Sequence, residues 1–290
     1  MEYAFARLDA VRSFREAWKR DPECAICYWG EGWAWGSYLN GPMSADQSPF
    51  AYAAMQKALS LKDAHATPVE RAFIEALSVR YVKNFDVKTR VEQDRAYAEA
   101  MRKVADAYPD DLDASTLYAD ALFLLEPRRG TRDVHAPNIQ RLHAVLERVL
   151  DKDPRHPGAC HLYVHATEST VTPEKAGVCA AFLGNSIPGA SHINHMPSHT
   201  WNEVGRWSDS VRANIEAWHS DLKADIGKGF APSDPNVRSR RPRGILRRAT
   251  RSSSLAKWIS PRCIWRGCGT PPTRRSRNFA TIPPSNSLAC

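Results

Sequence analysis

Six stretches of the chain repeat one spacing: a small or apolar residue, a second four positions on, a third three beyond that, and a helix-stopping position five further. The clearest copies are Ala10, Phe14, Ala17, Pro22; Tyr97, Met101, Val104, Pro109; Leu142, Leu146, Val149, Pro154; and Ala176, Ala180, Leu183, Pro188. Weaker copies stand at Ala51, Met55, Ala58, Asp63 and at Ser210, Asn214, Ala217, Leu222. Steps of four and three put the side chains on one face of a helix, and proline ends it. The chain is therefore built from internal repeats of helical structure.

The stops at 22, 63, 109, 154, 188 and 222 are separated by 41, 46, 45, 34 and 34 residues. A period of about 34 is that of paired antiparallel helices stacked into a solenoid, where each pair buries its apolar stripe only against its neighbours. The spacing predicts a helix over 3–21, first helices of successive pairs over 27–38, 69–82, 114–125, 159–170 and 195–204, and loops over 39–49 and 126–137. These insertions account for the stretched early periods. The expected fold is an all-α, right-handed α-solenoid of antiparallel helix pairs over residues 1–231, followed by an irregular tail.

The small-residue and proline positions resemble those of the tetratricopeptide repeat (TPR) family, and Gly205-Arg206-Trp207 followed by Ser210 resembles the turn between the two helices of that repeat. More narrowly, Asp21 through Gly30, His156 through Glu168, and His192 through Trp207 resemble a group of bacterial TPR proteins of uncertain function with paired His-x-x-x-His helices. The resemblance covers about residues 3–231 and implies a TPR-like solenoid with a concave binding face. Members of that group usually have an additional N-terminal helix and often a histidine near the place of Arg7. This chain enters its first amphipathic pattern without a lead-in, as if an upstream segment were missing.

Charge divides the chain at the end of the repeats. The whole carries 40 basic and 32 acidic residues, but 13 of the basic ones and none of the acidic ones lie in 235–290, which leaves the rest at 27 − 32 = −5. The basic balance that would suggest nucleic acid thus comes from the tail alone. Residues 232–290 are rich in Arg, Pro and Ser and lack helical periodicity. They read as a disordered basic arm for nucleic acid, as a metal segment built on Cys263 and Cys268, or, preferred here, as GC-rich coding sequence read out of frame. No apolar run approaches the roughly 18 residues of a membrane span and no secretory signal opens the chain, so a cytoplasmic location is the default. Seven scattered cysteines do not make a small secreted disulfide framework, and reduced, buried thiols are expected. Cys24-Ala-Ile-Cys27 lacks the strand–helix context of a redox motif, and no phosphate-binding glycine loop or nucleophile elbow is present.

Six of the ten histidines lie between Pro154 and Glu203. His161 and His165 stand seven and eleven residues after Pro154, and His195 and His199 stand seven and eleven after Pro188, so the two pairs occupy equivalent positions in adjacent repeats. Equivalent helices of a solenoid lie roughly 8–10 Å apart. The ruler therefore predicts His161 beside His195 and His165 beside His199, four imidazoles facing one groove. Imidazole suits zinc, iron, copper and nickel, and a transition metal (zinc, iron or copper) is the expected cofactor if these histidines are ligands. Glu168 and Asp120 are candidate additional ligands, partners to the ligand histidines or general bases, with Asn202 the counterpart of Glu168 and His192 within reach of the same groove. Trp29 and Trp33 occupy the histidine ruler positions after Pro22, where they either line the groove or pack the core. Pro197 between His195 and His199 is compatible with helix if the helix starts near Asn194 or His195.

The primary expectation is a TPR-type scaffold whose concave face recognises a protein, peptide or small ligand. The competing expectation is a His-cluster metalloprotein, with metal-dependent catalysis open and no catalytic residue assigned. Nucleic-acid binding through the tail ranks last.

Overall fold

In five of the six copies of the repeat spacing the three positions are inside; in the first, Ala10 is buried while Phe14 and Ala17 are partly exposed. Ala51, Met55 and Ala58, Tyr97 and Met101, Leu142 and Leu146, and Ala176, Ala180 and Leu183 are fully buried, and even the polar copies Ser210 and Asn214 are buried with Ala217. The computed structural model describes residues 1–126, 131–184 and 186–227, which fall within one unit, Met1–Leu246. The tail at 232–290 lies outside the described residues, and so do the three readings given to it.

The described chain is all helical, with an isolated bridge between Tyr38 and Gly41 and no strand among the described residues. In order come a 3-10 turn η1 (Glu2–Ala4), α1 (Arg7–Arg20), α2 (Ala25–Trp35), α3 (Ser48–His65), α4 (Pro68–Ser78), α5 (Arg90–Ala107) and α6 (Leu112–Phe123). There follow α7 (Pro137–Lys152), α8 (Pro157–Thr167), the 3-10 turn η2 (Pro173–Ala176), α9 (Gly177–Leu183), α10 (Ser191–His195), α11 (Pro197–Glu203) and α12 (Trp207–Gly227). From α1 to α9 each α-helix packs on the next in sequence, and α10 and α11 both pack on α12. Helices apart in sequence also meet, α2 with α4, α6 with α8 and α8 with α11. That second set of contacts puts α8 beside the segment carrying the second group of histidines.

Helix starts follow local chemistry. Thr67 and Glu70 form a reciprocal capping box at α4, Asp111 accepts from the Ala114 amide at α6, and His156 Nδ1 accepts from the Ala159 amide at α8. Such caps satisfy amides that have no partner within the helix. Buried charge fixes α1 against α2: the Glu31 carboxylate accepts from Arg15 Nε at 2.7 Å, Trp18 Nε1 at 2.8 Å and Trp35 Nε1 at 3.2 Å. On the same helix a Cβ at position 30 would lie 2.2 Å from the Phe14 ring, so that crossing needs glycine.

Three expectations are corrected. The helix expected over 3–21 is broken, because Phe5 adopts φ 52°, ψ 19° and ends the 3-10 turn before α1 begins at Arg7. The helix expected over 195–204 is two short helices, because Pro197 has no amide to continue α10 and instead opens α11. Four cysteines expected as thiols are paired, Cys24 with Cys27 and Cys160 with Cys179. The first pair spans one turn at the start of α2, and the second joins α8 to α9, a proximity that spacing along the chain does not reveal. Among the described residues no helix is long and apolar enough to cross a membrane.

Leu146→Ala, which removes a fully buried side chain of α7, is expected to lower unfolding free energy by about 2–5 kcal/mol. Thr67→Ala should cost about 1 kcal/mol through the lost cap. Urea unfolding followed by circular dichroism measures both.

Candidate metal centre

His161 and His165 lie four residues apart on α8, so both rings leave the same face, and both are almost completely buried. The stretch opposite supplies His192 and His195 from α10 and His199 from α11. The five rings close a circuit of contacts. Centroids are 5.0 Å apart for His161 and His165, 5.2 Å for His165 and His199, 4.6 Å for His199 and His195, 5.9 Å for His195 and His192, and 4.8 Å for His192 and His161. The ruler paired His161 with His195, but the nitrogen facing His161 Nε2 belongs to His192, at 3.0 Å. His192 lies one turn before His195 on α10, so the ruler gave the right face of the opposite segment but not the turn that meets His161. His165 and His199 are neighbours as expected.

Oxygen acceptors hold the outer nitrogens. The Tyr3 carbonyl accepts from His161 Nδ1 at 2.5 Å, and Asn214 Oδ1 accepts from His195 Nδ1 at 2.9 Å. The Glu168 carboxylate spans two helices, with Oε1 accepting from His165 Nδ1 at 2.9 Å and Oε2 from His199 Nδ1. An imidazole that donates from Nδ1 carries its lone pair on Nε2. His161 Nε2 then faces His192 Nε2 at 3.0 Å, His195 Nε2 faces His199 Nε2 at 2.8 Å, and His165 Nε2 is buried with no partner. His192 has no acceptor placed on its Nδ1 among the described residues, so its Nε2 can donate to His161; His195 and His199 both donate from Nδ1, and their facing lone pairs repel unless a positive charge lies between them.

A proton is a poor candidate for that charge. Burial pushes His161 and His192 well below the ordinary imidazole value, with neighbouring imidazoles adding to the effect. Burial also lowers His165. His195 is held down to about 3, first by burial and then by His199. Burial alone would raise Glu168, but its two histidine partners outweigh that and hold the carboxyl well below its usual range. A metal ion fits better: ligand nitrogens of one tetrahedral ion at about 2.0–2.1 Å lie roughly 3.3 Å apart. Donor atoms of His161, His165 and His192, and separately of His165, Glu168 and His199, lie within 4.8 Å of one another. A carboxylate or carbonyl oxygen on the far nitrogen of His161, His165, His195 and His199 fixes ring orientation and tautomer, as in carboxylate–histidine–metal triads.

The N-terminal segment forms one wall. The Phe5 ring lies 4.4 Å from His161 and stacks on His192 at 5.1 Å. Tyr3 donates its hydroxyl to Asp113 Oδ1 at 2.5 Å, and its ring lies so close over Gly158 that a Cβ there would come within 2.6 Å. Beside His161 a cavity is bounded by Glu2, Tyr3, Trp33, Tyr38 and Asp120. Asp120 therefore does share a space with the histidine cluster, and burial pushes its carboxyl up to about 6 against the pull of Arg80 and a hydrogen bond from Trp33. Trp33 lines this cavity, whereas Trp29 is a core residue whose indole donates to the Phe73 carbonyl at 3.0 Å. Asn202, the expected counterpart of Glu168, donates to Glu203 Oε1 at 3.3 Å. Tyr3, Phe5 and Asn214 were missed in the sequence. Asn214 carried a signal, being the polar exception at a position occupied by Phe14, Met55, Met101, Leu146 and Ala180 in the other copies.

The depressed His195 value has a defined consequence for the metal-free protein. Folded His195 titrates near 3 and the unfolded residue near 6.5, so acid favours the unfolded chain: this contribution is whole above about pH 6.5 and is lost as pH falls. Glu2 and Asp120, raised to about 7 and about 6, act with the opposite sign, stabilising at low pH and losing that contribution as pH rises through those values. Comparison with a neutral variant isolates the histidine. Between pH 7.5 and pH 5, His195→Phe is expected to gain about 2 kcal/mol relative to the unsubstituted chain, both treated with chelator. Urea midpoints measured across that range check it.

No known protein-family model matches this chain, and no curated protein gives a significant match to it.

Proposed function

We propose that the chain is a TPR-type helical solenoid whose inner face carries a transition-metal centre. His161, His165, His192, His195 and His199 supply Nε2 donors, and Glu168, Asn214 and the Tyr3 carbonyl hold the rings. The single observation that carries this reading is the tautomer pattern: oxygen acceptors occupy the Nδ1 side of four of the five rings, leaving the Nε2 lone pairs of His195 and His199 opposed at 2.8 Å and that of His165 buried without a partner. Imidazole donors select zinc, copper, iron or nickel over the hard cations magnesium and calcium. A bound ion of this class would supply Lewis acidity or an activated water. The solenoid part of the reading is supported by the buried repeat positions and by the contacts of α2 with α4, α6 with α8 and α8 with α11.

The broader scaffold reading, recognition of a protein, peptide or small ligand on the inner face, is compatible with such a centre, although the cavity that adjoins His161 is itself only about water-sized.

Protein purified without a histidine tag is expected to contain near-stoichiometric transition metal by plasma mass spectrometry. His165→Ala with His199→Ala should remove it while helix content is kept. Glu168→Gln should weaken metal affinity about 10- to 100-fold. A chain that carries no metal and gains no thermal stability from added zinc, copper, iron or nickel would end the metalloprotein reading.

A further inference from the structure

The two disulfides differ in what they join. Cys160–Cys179 ties α8 to α9 across 19 positions, and both of its residues are buried. Cys24–Cys27 joins residues three positions apart at the start of α2, and both are only half-buried. A disulfide stabilises a fold by restricting the unfolded chain, and it does so least for the shortest loop. The Cys24–Cys27 bond therefore ties no element to another, adds the less to the fold, and lies at the surface. A bond with those properties is suited to being broken and remade.

Local chemistry favours one of the two sulfurs as a thiolate. Cys24 opens α2, an 11-residue helix with no acidic residue in its first turn, and its side chain caps none of the first amides. Those amides have no acceptor within the helix, and the helix dipole is positive at that end. Once released from the disulfide, Cys24 Sγ is an anion at that place, the setting that stabilises a thiolate. The two nearby carboxylates are exposed and have partners of their own: Asp21 Oδ1 accepts from the Glu23 amide at 3.1 Å, and Glu23 Oε1 lies 3.7 Å from His65 Nε2. No strand precedes the pair among the described residues. Exchange itself asks only for two sulfurs in mutual reach, a stabilised thiolate and access.

We propose that Cys24 and Cys27 are a redox-active pair that exchanges two electrons with small dithiols. One thiolate of the dithiol attacks Cys24 Sγ; a mixed disulfide forms, the Cys24–Cys27 bond breaks, and Cys27 leaves as a thiolate. The dithiol's second thiolate then attacks the dithiol sulfur bonded to Cys24, and Cys24 leaves, the departure that the helix start assists. The dithiol ends as a disulfide, oxidised by two electrons, and its two protons end on Cys24 and Cys27. Neither cysteine belongs to the donor groups around the histidines, so the pair is independent of the metal reading.

Timed exposure of the full chain to dithiothreitol at pH 7.5 with chelator, followed by alkylation, trypsin and mass spectrometry, tests it. Residues 21–57 form one tryptic peptide, and Cys160 and Cys179 fall on two others, so the two bonds are read separately. Cys24–Cys27 is expected to be reduced at least tenfold faster than Cys160–Cys179, with helix content unchanged, and oxidised glutathione should remake it. Oxidised glutathione should also modify Cys24 in Cys27→Ser at least tenfold faster than Cys27 in Cys24→Ser. Reduction no faster than that of Cys160–Cys179, loss of helix on reduction, or equal rates in the two variants would overturn the proposal. Should either variant fail to fold, the comparison of the two disulfides in the unsubstituted chain still decides.

Discussion

Glu168 accepts from two imidazoles that belong to different helices, His165 on α8 and His199 on α11. This carboxylate is the point at which two repeats become one site. Without it the Nδ1 protons of both rings would be buried unpaired, and neither ring would have reason to turn its other nitrogen inward. The helices supply position to within a few ångströms, and the carboxylate supplies the orientation that chemistry requires. Asn214 and the Tyr3 carbonyl do the same for His195 and His161.

The helical architecture was legible because a repeat writes its packing into its spacing. Each copy must bury the same three positions, and from Ala51 to Leu183 those positions are buried. The histidine cluster was legible in part, since equivalence between repeats places His165 beside His199. It misassigned the partner of His161, because equivalence between repeats fixes a helix face but not the height along it, and the turn that meets His161 carries His192 rather than His195. The contributions of Tyr3 and Phe5 come from more than 150 positions away in the chain, and no local pattern encodes them. The pairing of Cys160 with Cys179, 19 positions apart, is hidden because it depends on how α8 packs on α9. Asn214 is different: its amide stands where the repeat calls for an apolar side chain, and a polar residue in a core position needs a partner.

Two neighbouring environments solve opposite electrostatic problems. The histidine cluster gathers lone pairs around a place for positive charge, and burial keeps protons away. The adjoining cavity gathers carboxyls that burial keeps partly protonated. His161 belongs to both, with its Nε2 in the cluster and its ring on the cavity wall. Changes on one side of that ring therefore reach the other through a single side chain.

Phe5 holds a left-handed backbone conformation that disfavours an L side chain, and its ring covers His161 and stacks on His192. A benzyl group offers no hydrogen bond to water. On that side of the cluster a hydrated ion would have to shed its shell before the nitrogens replace it. In the proposed metal centre, exchange of an ion would then be governed by dehydration as well as by bond strength, which would favour ions that release water readily and bind nitrogen well.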